Sequence, residues 1–195
     1  MNVRDRFWQL LLILSTLAFS WLAMMVVHEA GHVLHLLGTG GSIEQVTLHP
    51  LKLSQTLPDV NPHPLATVVG GPLWGVLLPL SIWWIVVRLA PARAYLAAFF
   101  VGFCLVANGA YLAGDAFLQG GDGREFVRHG VPPWTLVAVG LPATLAGIYI
   151  WNGLGPQFGL GGTDGKVSRT DAIVMVVLTA AVVLGEVVFS LPGVG

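Results

Sequence analysis

The sequence predicts an all-α membrane protein with about five transmembrane helices and a short β-like or re-entrant segment after the first of them. The composition supports this class, because 55% of the residues are hydrophobic and only 10% are charged, with a mean hydropathy of +0.77. Soluble domains average about 25% charged residues, so an ordinary soluble domain is excluded. Several apolar runs also reach the roughly 20 residues that a helix needs to cross the hydrocarbon core.

Five apolar segments supply the predicted spans, and tryptophans at several of their ends fit an interfacial belt. The segments are Phe7 to Leu37, Leu65 to Leu89, Tyr95 to about Leu118, Pro133 to Trp151, and Ala172 to Leu191. We find no internal repeat and expect a single polytopic membrane domain over residues 1–195. Its core helices cover about 7–130, and two additional C-terminal helices cover about 132–192.

The first span begins like a signal peptide, because Arg4 and Arg6 precede an apolar run. That run continues through Val27 into a histidine motif, so we expect an uncleaved helix. The distribution of basic residues favours a cytoplasmic N-terminus by the positive-inside rule.

The connections between the spans carry most of the turn-forming residues. After the first span, the stretch from Ser42 to Leu53 alternates loosely between apolar and polar residues, which predicts a short strand or hairpin. Several prolines exclude a helix across this connection. The last connection, Asn152 to Thr170, is Gly-rich and polar, which is typical of a flexible linker.

The chemistry of the chain is concentrated in the HExxH motif formed by His28, Glu29, Ala30, Gly31 and His32. Residues four apart lie on one face of a helix, so both imidazoles can bind one Zn²⁺. The glutamate between them can accept a proton from the metal-bound water, whose pKa zinc lowers to about 7. Ionisable groups at membrane depth cost about 2.5–3.5 kcal/mol each, so a chance match is disfavoured here.

A third metal ligand must come from another part of the chain. His35 shares the face of the motif, but it lies about 10 Å along the helix from His28. We expect it to line the entrance of the site or to be an ordinary interfacial histidine. Asp115 and Asp122 are the two nearest candidates in later segments, and Glu186 in the last span is a more distant one.

Depth along the helices favours Asp115. Arg6 to His28 and Arg93 to Asp115 are both separations of 22 residues, counted from the last charge before each span. Two unbroken parallel helices would therefore bring Asp115 to the histidines. Asp122 can reach them only if the third span unwinds at its glycines and the chain turns back.

Four features in order resemble the site-2 protease family of intramembrane zinc metallopeptidases. They are HEAGH, the segment GGSIEQVTLHPL, a Gly-Pro pair within GGPLWG at 70–75, and a later Asn-to-Asp-Gly stretch, over roughly Trp8 to Gly130. The resemblance implies that the aspartate of the last stretch is the third zinc ligand. It also implies that Asn108 contacts substrate or braces the site. In this family the motif helix usually enters from the non-cytoplasmic side, which reverses the orientation that the basic residues favour.

The last stretch departs from the family pattern. Tyr111 stands where the family has proline, and Asp115 has nearly the family spacing from Asn108 but lacks a following glycine. Asp122 is followed by Gly123 and an arginine, as in the family, but lies seven residues later than expected. On this motif we expect Asp122 to be the third ligand, with Asp115 as the alternative.

These observations predict a membrane-embedded zinc metalloendopeptidase with Glu29 as catalytic base and Zn²⁺ as cofactor. Its expected partners are the lipid bilayer and a membrane-protein substrate, and its expected location is a multi-pass position in the cell membrane. The net charge of −1 gives no reason to expect a nucleic acid. Two alternatives stay open. One is a metal-binding transporter or inactive scaffold, and the other is a prenyl-protein-peptidase-like protease that uses Glu186 as third ligand.

Overall fold

A computed structural model describes residues 2–118 and 120–190 of the chain. Within them lie six α-helices and one two-stranded sheet. In chain order these are α1 (Val3–Gly38), β1 (Ser42–Thr47), β2 (Gln55–Val60), α2 (Pro64–Leu89), α3 (Ala94–Leu118), α4 (Gly121–Arg128), α5 (Pro133–Trp151) and α6 (Arg169–Phe189). Five of these helices, all except α4, are long and apolar enough to cross a membrane, which confirms the predicted number of such helices. The predicted end of the last span at Leu191 lies outside the described residues.

Helices α1 and α3 run parallel and share a core. Leu12 and Leu96 belong to one buried apolar cluster, and further along the two helices the rings of Phe19 and Phe100 lie 5.5 Å apart. The two helices therefore keep the same direction from their N-terminal ends to the level of the HExxH motif. This pairing fixes which residues of α3 can reach the histidines.

Helix α2 crosses α1 at the motif through a close contact between two glycines. A Cβ added to Gly31 would lie 2.2 Å from the carbonyl oxygen of Gly70, so neither position leaves room for a side chain. The contact brings the backbone of α2 against the motif face of α1. Small residues serve the same purpose at other helix contacts in membranes.

The connection after α1 forms an antiparallel hairpin of β1 and β2. The short strand or hairpin predicted between Ser42 and Leu53 is confirmed for β1, but β2 lies entirely after the predicted region. Pro58 lies within β2 opposite Ile43, at an irregularity of the pairing. Proline is tolerated there because a two-stranded hairpin has only edge strands.

Two further connections are well packed: the turn between α3 and α4 and the connection between α5 and α6. After α3 ends at Leu118, Gly121 adopts a positive φ of 40° at the start of α4, so the chain turns back toward α1.

The Gly-rich connection before α6 packs against the helices over part of its length, which corrects the prediction of a flexible linker there. Phe158 is buried in the core there, and the Gln9 amide donates to the Gly159 carbonyl at 2.6 Å.

Candidate metal centre

Two histidines of α1 and one aspartate of α4 meet in a largely buried group. His28 Nε2 lies 3.0 Å from Asp122 Oδ2, His32 Nε2 lies 3.3 Å from Asp122 Oδ1, and the two Nε2 atoms are 3.1 Å apart. Atoms that bind a tetrahedral zinc ion at 2.0–2.1 Å lie about 3.3 Å from one another. The three side chains are 9–15% exposed. This group could therefore hold a metal ion.

The hydrogen bonds on the far side of each imidazole leave the Nε2 atoms available. His28 Nδ1 lies 2.8 Å from Asn108 Oδ1, and the Asn108 amide nitrogen donates to the Cys104 carbonyl, which orients that oxygen toward the imidazole. His32 Nδ1 lies 2.9 Å from the Thr67 carbonyl oxygen. Both partners only accept, so both Nδ1 atoms carry the hydrogen and both Nε2 atoms carry a lone pair. Two lone pairs facing each other favour a cation between them.

Glycines of α2 make room for this arrangement. A Cβ on Gly71 would lie 2.4 Å from His32 Nε2 and 2.7 Å from His28 Nε2. A Cβ on Gly75 would lie 2.8 Å from Asn108 Oδ1. The Gly-Pro segment that carried part of the family resemblance thus has a steric role, which the sequence did not reveal.

Helix α4 is held at its start by two side chains of α3. The backbone N–H of Asp122 donates to the Tyr111 hydroxyl at 3.1 Å, and that of Gly123 donates to Asp115 Oδ2 at 3.1 Å. Both are among the N–H groups that a helix start leaves without a partner. The N-cap position is Gly120, which has no side chain to accept them. Asp115 therefore caps α4 and stays outside the metal-binding group.

The environment of Asp122 keeps it ionised. Burial by itself raises the pKa of Asp122, but the adjacent His28 and His32 rings, when they are protonated and no metal is bound, donate hydrogen bonds and place positive charge beside it, which lowers its pKa to about 2. At neutral pH the third member of the group is therefore an anionic oxygen. An anionic oxygen beside two neutral nitrogens is a suitable donor set for a divalent cation.

Depth along the helices places Asp115 beyond the histidines. Asn108, not Asp115, lies level with His28, and Asp115 is seven residues further along α3, or about 10 Å. The flanking charges gave a different level because Arg6 and Arg93 differ by 87 in number, whereas Phe19 of α1 and Phe100 of α3, which lie against each other, differ by only 81. The chain reversal after α3 brings Asp122 back over this distance.

Glu29 is held beside the group by the hairpin. Its Oε1 accepts from the Ser54 hydroxyl at 2.8 Å, and its Oε2 accepts from the Thr56 hydroxyl at 2.7 Å. The residue is 5% exposed and borders a cavity of about 510 Å³ that His28 and Asp122 also line. No sequence pattern marks Ser54 or Thr56, because their role depends on how the hairpin folds over α1.

Two other residues considered from the sequence lie apart from the group. His35 contacts α2, where its Nδ1 donates to the Ala66 carbonyl at 2.8 Å and its Nε2 accepts from Trp74 at 3.2 Å. Both ring nitrogens are therefore occupied in a helix contact. Glu186 is buried in α6 and lines a cavity together with Phe19, and both carboxyl oxygens lack a hydrogen-bond partner among the described residues.

The chain matches no protein-family model, no curated protein and no solved structure. The relation to site-2 proteases therefore remains a resemblance carried by sequence motifs. The described residues establish a narrower result. Five helices that are long and apolar enough to cross a membrane accompany a His-His-Asp group that could hold a metal ion.

Proposed function

We propose that this protein is a membrane-embedded zinc metalloendopeptidase. The observation that carries the proposal is the convergence of both HEAGH histidines with Asp122, which is 94 residues away from His28 along the chain. Zn²⁺ in hydrolytic sites is commonly bound by three such protein ligands, with a fourth position for water. Glu29 lies outside the ligand group and borders the same cavity, which suits a base rather than a ligand.

In the proposed hydrolysis, Glu29 moves the proton, and the Ser54 and Thr56 hydroxyls position Glu29. When bound, zinc would lower the pKa of a water molecule to about 7 and polarise the scissile carbonyl. Glu29 accepts the proton of that water and later gives it to the leaving amine. The Ser54 and Thr56 hydroxyls hold the Glu29 carboxylate in position, and each of its oxygens keeps a further lone pair for the proton.

The substrate would be a membrane or membrane-proximal peptide segment in an extended form. Amides within a helix are hydrogen-bonded and sterically shielded, so the segment must unwind before its carbonyl can reach the site. The cavity beside Glu29 offers polar groups from Thr56, Asn61 and Thr67, which can admit the water that hydrolysis consumes. Irregular backbone and water at membrane depth are tolerated when protein surrounds them.

A second candidate is a metal-binding membrane protein without catalysis. It is favoured by one observation, namely that both oxygens of Glu29 already accept hydrogen bonds from the hairpin. A carboxylate held in this way could serve structure alone. The protease that would use Glu186 as ligand has no such support, because Glu186 lies outside the His-His-Asp group.

The decisive experiment compares wild-type protein with Glu29→Gln in detergent. Unfolded casein is the substrate, its fragments are identified by mass spectrometry, and zinc is measured per chain. We expect wild-type cleavage, a rate lower by about 100- to 10,000-fold in Glu29→Gln, and unchanged zinc. Glu44→Gln, on the exposed face of the hairpin, is the matched control. Equal cleavage by wild type and Glu29→Gln would refute the proposed catalytic role, and metal binding without any cleavage would favour the second candidate.

A further inference from the structure

A second cavity opens beside the candidate metal centre and differs from the first in character. Its volume is about 300 Å³, and it shares His28, Glu29, Leu53, Ser54 and Tyr111 with the larger cavity. The rest of its wall is mostly apolar and consists of Trp21, Met24, Met25, Ala107 and Asn108. The catalytic groups therefore stand at the junction of the two cavities.

The two cavities extend in different directions from Glu29. The walls contributed by α1 to the second cavity begin at Trp21, seven residues or about 10 Å before His28. The first cavity extends instead toward the hairpin and the start of α2, where Asn61 and Thr67 contribute polar groups. A peptide that passes Glu29 in extended form would therefore have one side chain facing an apolar wall.

We propose that the second cavity is a subsite that binds a large apolar side chain next to the scissile bond. The inference rests on the proposed function and names its substrate preference. A cavity of this size can accept one leucine, methionine or phenylalanine side chain. Met24 and Met25 are unbranched and adaptable, so the subsite selects size and apolarity rather than one shape.

The wall also disfavours charged side chains. Burying a charge without a partner is costly. Among the described residues that line this cavity, His28 is the only one whose side chain can become positively charged. An acidic side chain would in addition face the Glu29 carboxylate at the mouth. The subsite should therefore select leucine, methionine and phenylalanine over alanine, aspartate and glutamate.

Ala107 and Met24 allow this subsite to be changed in both directions. Ala107 is half-buried on α3, so Ala107→Phe would fill the cavity from the wall opposite α1. Met24 is half-buried on α1, so Met24→Ala would enlarge it. Neither residue belongs to the ligand group. Ala110→Phe, at an exposed position of the same helix, is the matched control.

The test reads the residues on both sides of every bond cleaved in unfolded casein. We expect wild type to prefer a large apolar residue on one side. Ala107→Phe should reduce the rate at those bonds by at least about 10- to 200-fold, because that range already applies to one methylene in an apolar pocket and a whole ring is added here, while bonds next to alanine are spared. Met24→Ala should raise the share of phenylalanine and tryptophan. Ala110→Phe should leave the profile unchanged.

The outcomes separate this inference from the proposed function. If wild type cleaves nothing, the proposed function fails and the subsite fails with it. If wild type cleaves without side-chain preference, or if Ala107→Phe and Met24→Ala both keep the wild-type profile, the subsite alone is refuted. Zinc content is measured for each variant, and if Ala107→Phe loses zinc, the profile of Met24→Ala decides.

Discussion

The carboxylate of Asp115 accepts a hydrogen bond from the backbone N–H of Gly123 at 3.1 Å. This contact fixes the start of α4 against α3, one residue after Asp122. The two aspartates that were candidates for the third ligand therefore differ in position and in structural role. Asp122 faces the imidazoles, and Asp115 holds the helix that presents it.

Substitution of these two aspartates should have unequal effects. Asp122→Ala removes an anionic donor atom, so we expect zinc to be lost and activity with it. Asp115→Ala removes only the cap of α4, so we expect zinc to bind more weakly by about 10- to 100-fold, the usual cost of removing a group that orients a ligand. Asp115→Asn keeps an acceptor oxygen and should recover most of the affinity. Zinc titration with a competing chelator measures all three. Tight zinc in Asp122→Ala, with none in Asp115→Ala, would reverse the assignment.

The hairpin hydroxyls should matter for the rate of hydrolysis and not for the metal. In Ser54→Ala with Thr56→Val, the Glu29 carboxylate loses both donors and its fixed position. We expect kcat to fall by about 10- to 100-fold, because small displacements of a reacting group have effects of this size, with KM and zinc content nearly unchanged.

Two controls isolate the hydroxyl groups themselves. Thr56→Ser keeps the donor and should restore kcat, whereas Thr47→Val changes a threonine of β1 that makes no described bond to Glu29. If Thr56→Ser is as slow as a single Thr56→Val variant, the shape of the Thr56 side chain and not its hydrogen bond is responsible for the loss of kcat. An increase of kcat in the double variant would mean that the hairpin restrains Glu29 instead of positioning it.

Asn108 should act through His28 even before any substrate is present. Its Oδ1 accepts the Nδ1–H of His28, which keeps the Nε2 lone pair directed at the ligand group. Asn108→Ala should therefore weaken zinc binding by about 10- to 100-fold, whereas Asn108→Asp keeps an acceptor and should retain the metal. Chelator competition without substrate distinguishes this role from substrate contact. Unchanged zinc affinity in Asn108→Ala would leave only the substrate role.

The parts of the fold that follow from local sequence could be predicted. Apolar length is a property of each segment alone, so the helices were placed closely, and the spacing of His28 and His32 put both on one face. The level of Asp115 could not be predicted, because it depends on the offset between α1 and α3, which is set by packing of residues such as Phe19 and Phe100. Counting from flanking charges ignored this offset.

The contacts made by the hairpin and by α2 were equally beyond the sequence. Ser54 and Thr56 are ordinary polar residues of a connection until β2 folds over Glu29. Gly71 belonged to a Gly-Pro pattern, but its steric role appears only when α2 crosses the motif face of α1. Long-range contacts of this kind leave no periodic signal in a single sequence.

Gly71 offers the sharpest test of the metal centre. The same methyl group can be added at Gly71, where it would meet the histidines, and at Gly114, where it would meet nothing. In Gly71→Ala the new Cβ would lie 2.4 Å from His32 Nε2, closer than nonbonded atoms approach, and withdrawal of the α2 backbone would break the close packing of Gly70 on Gly31. The imidazoles must therefore rotate away from Asp122. We expect zinc to be lost while the helical content by circular dichroism is kept.

Gly114→Ala is the matched control, since a Cβ at Gly114 in α3 meets no atom within 4 Å. Alanine is favoured over glycine within a helix by about 1 kcal/mol, so this variant should bind zinc normally and be at least as stable as wild type. Loss of zinc in both variants would point to a general effect on the helices. Stoichiometric, tightly held zinc in Gly71→Ala would mean that the ion does not lie between the His28 and His32 Nε2 atoms.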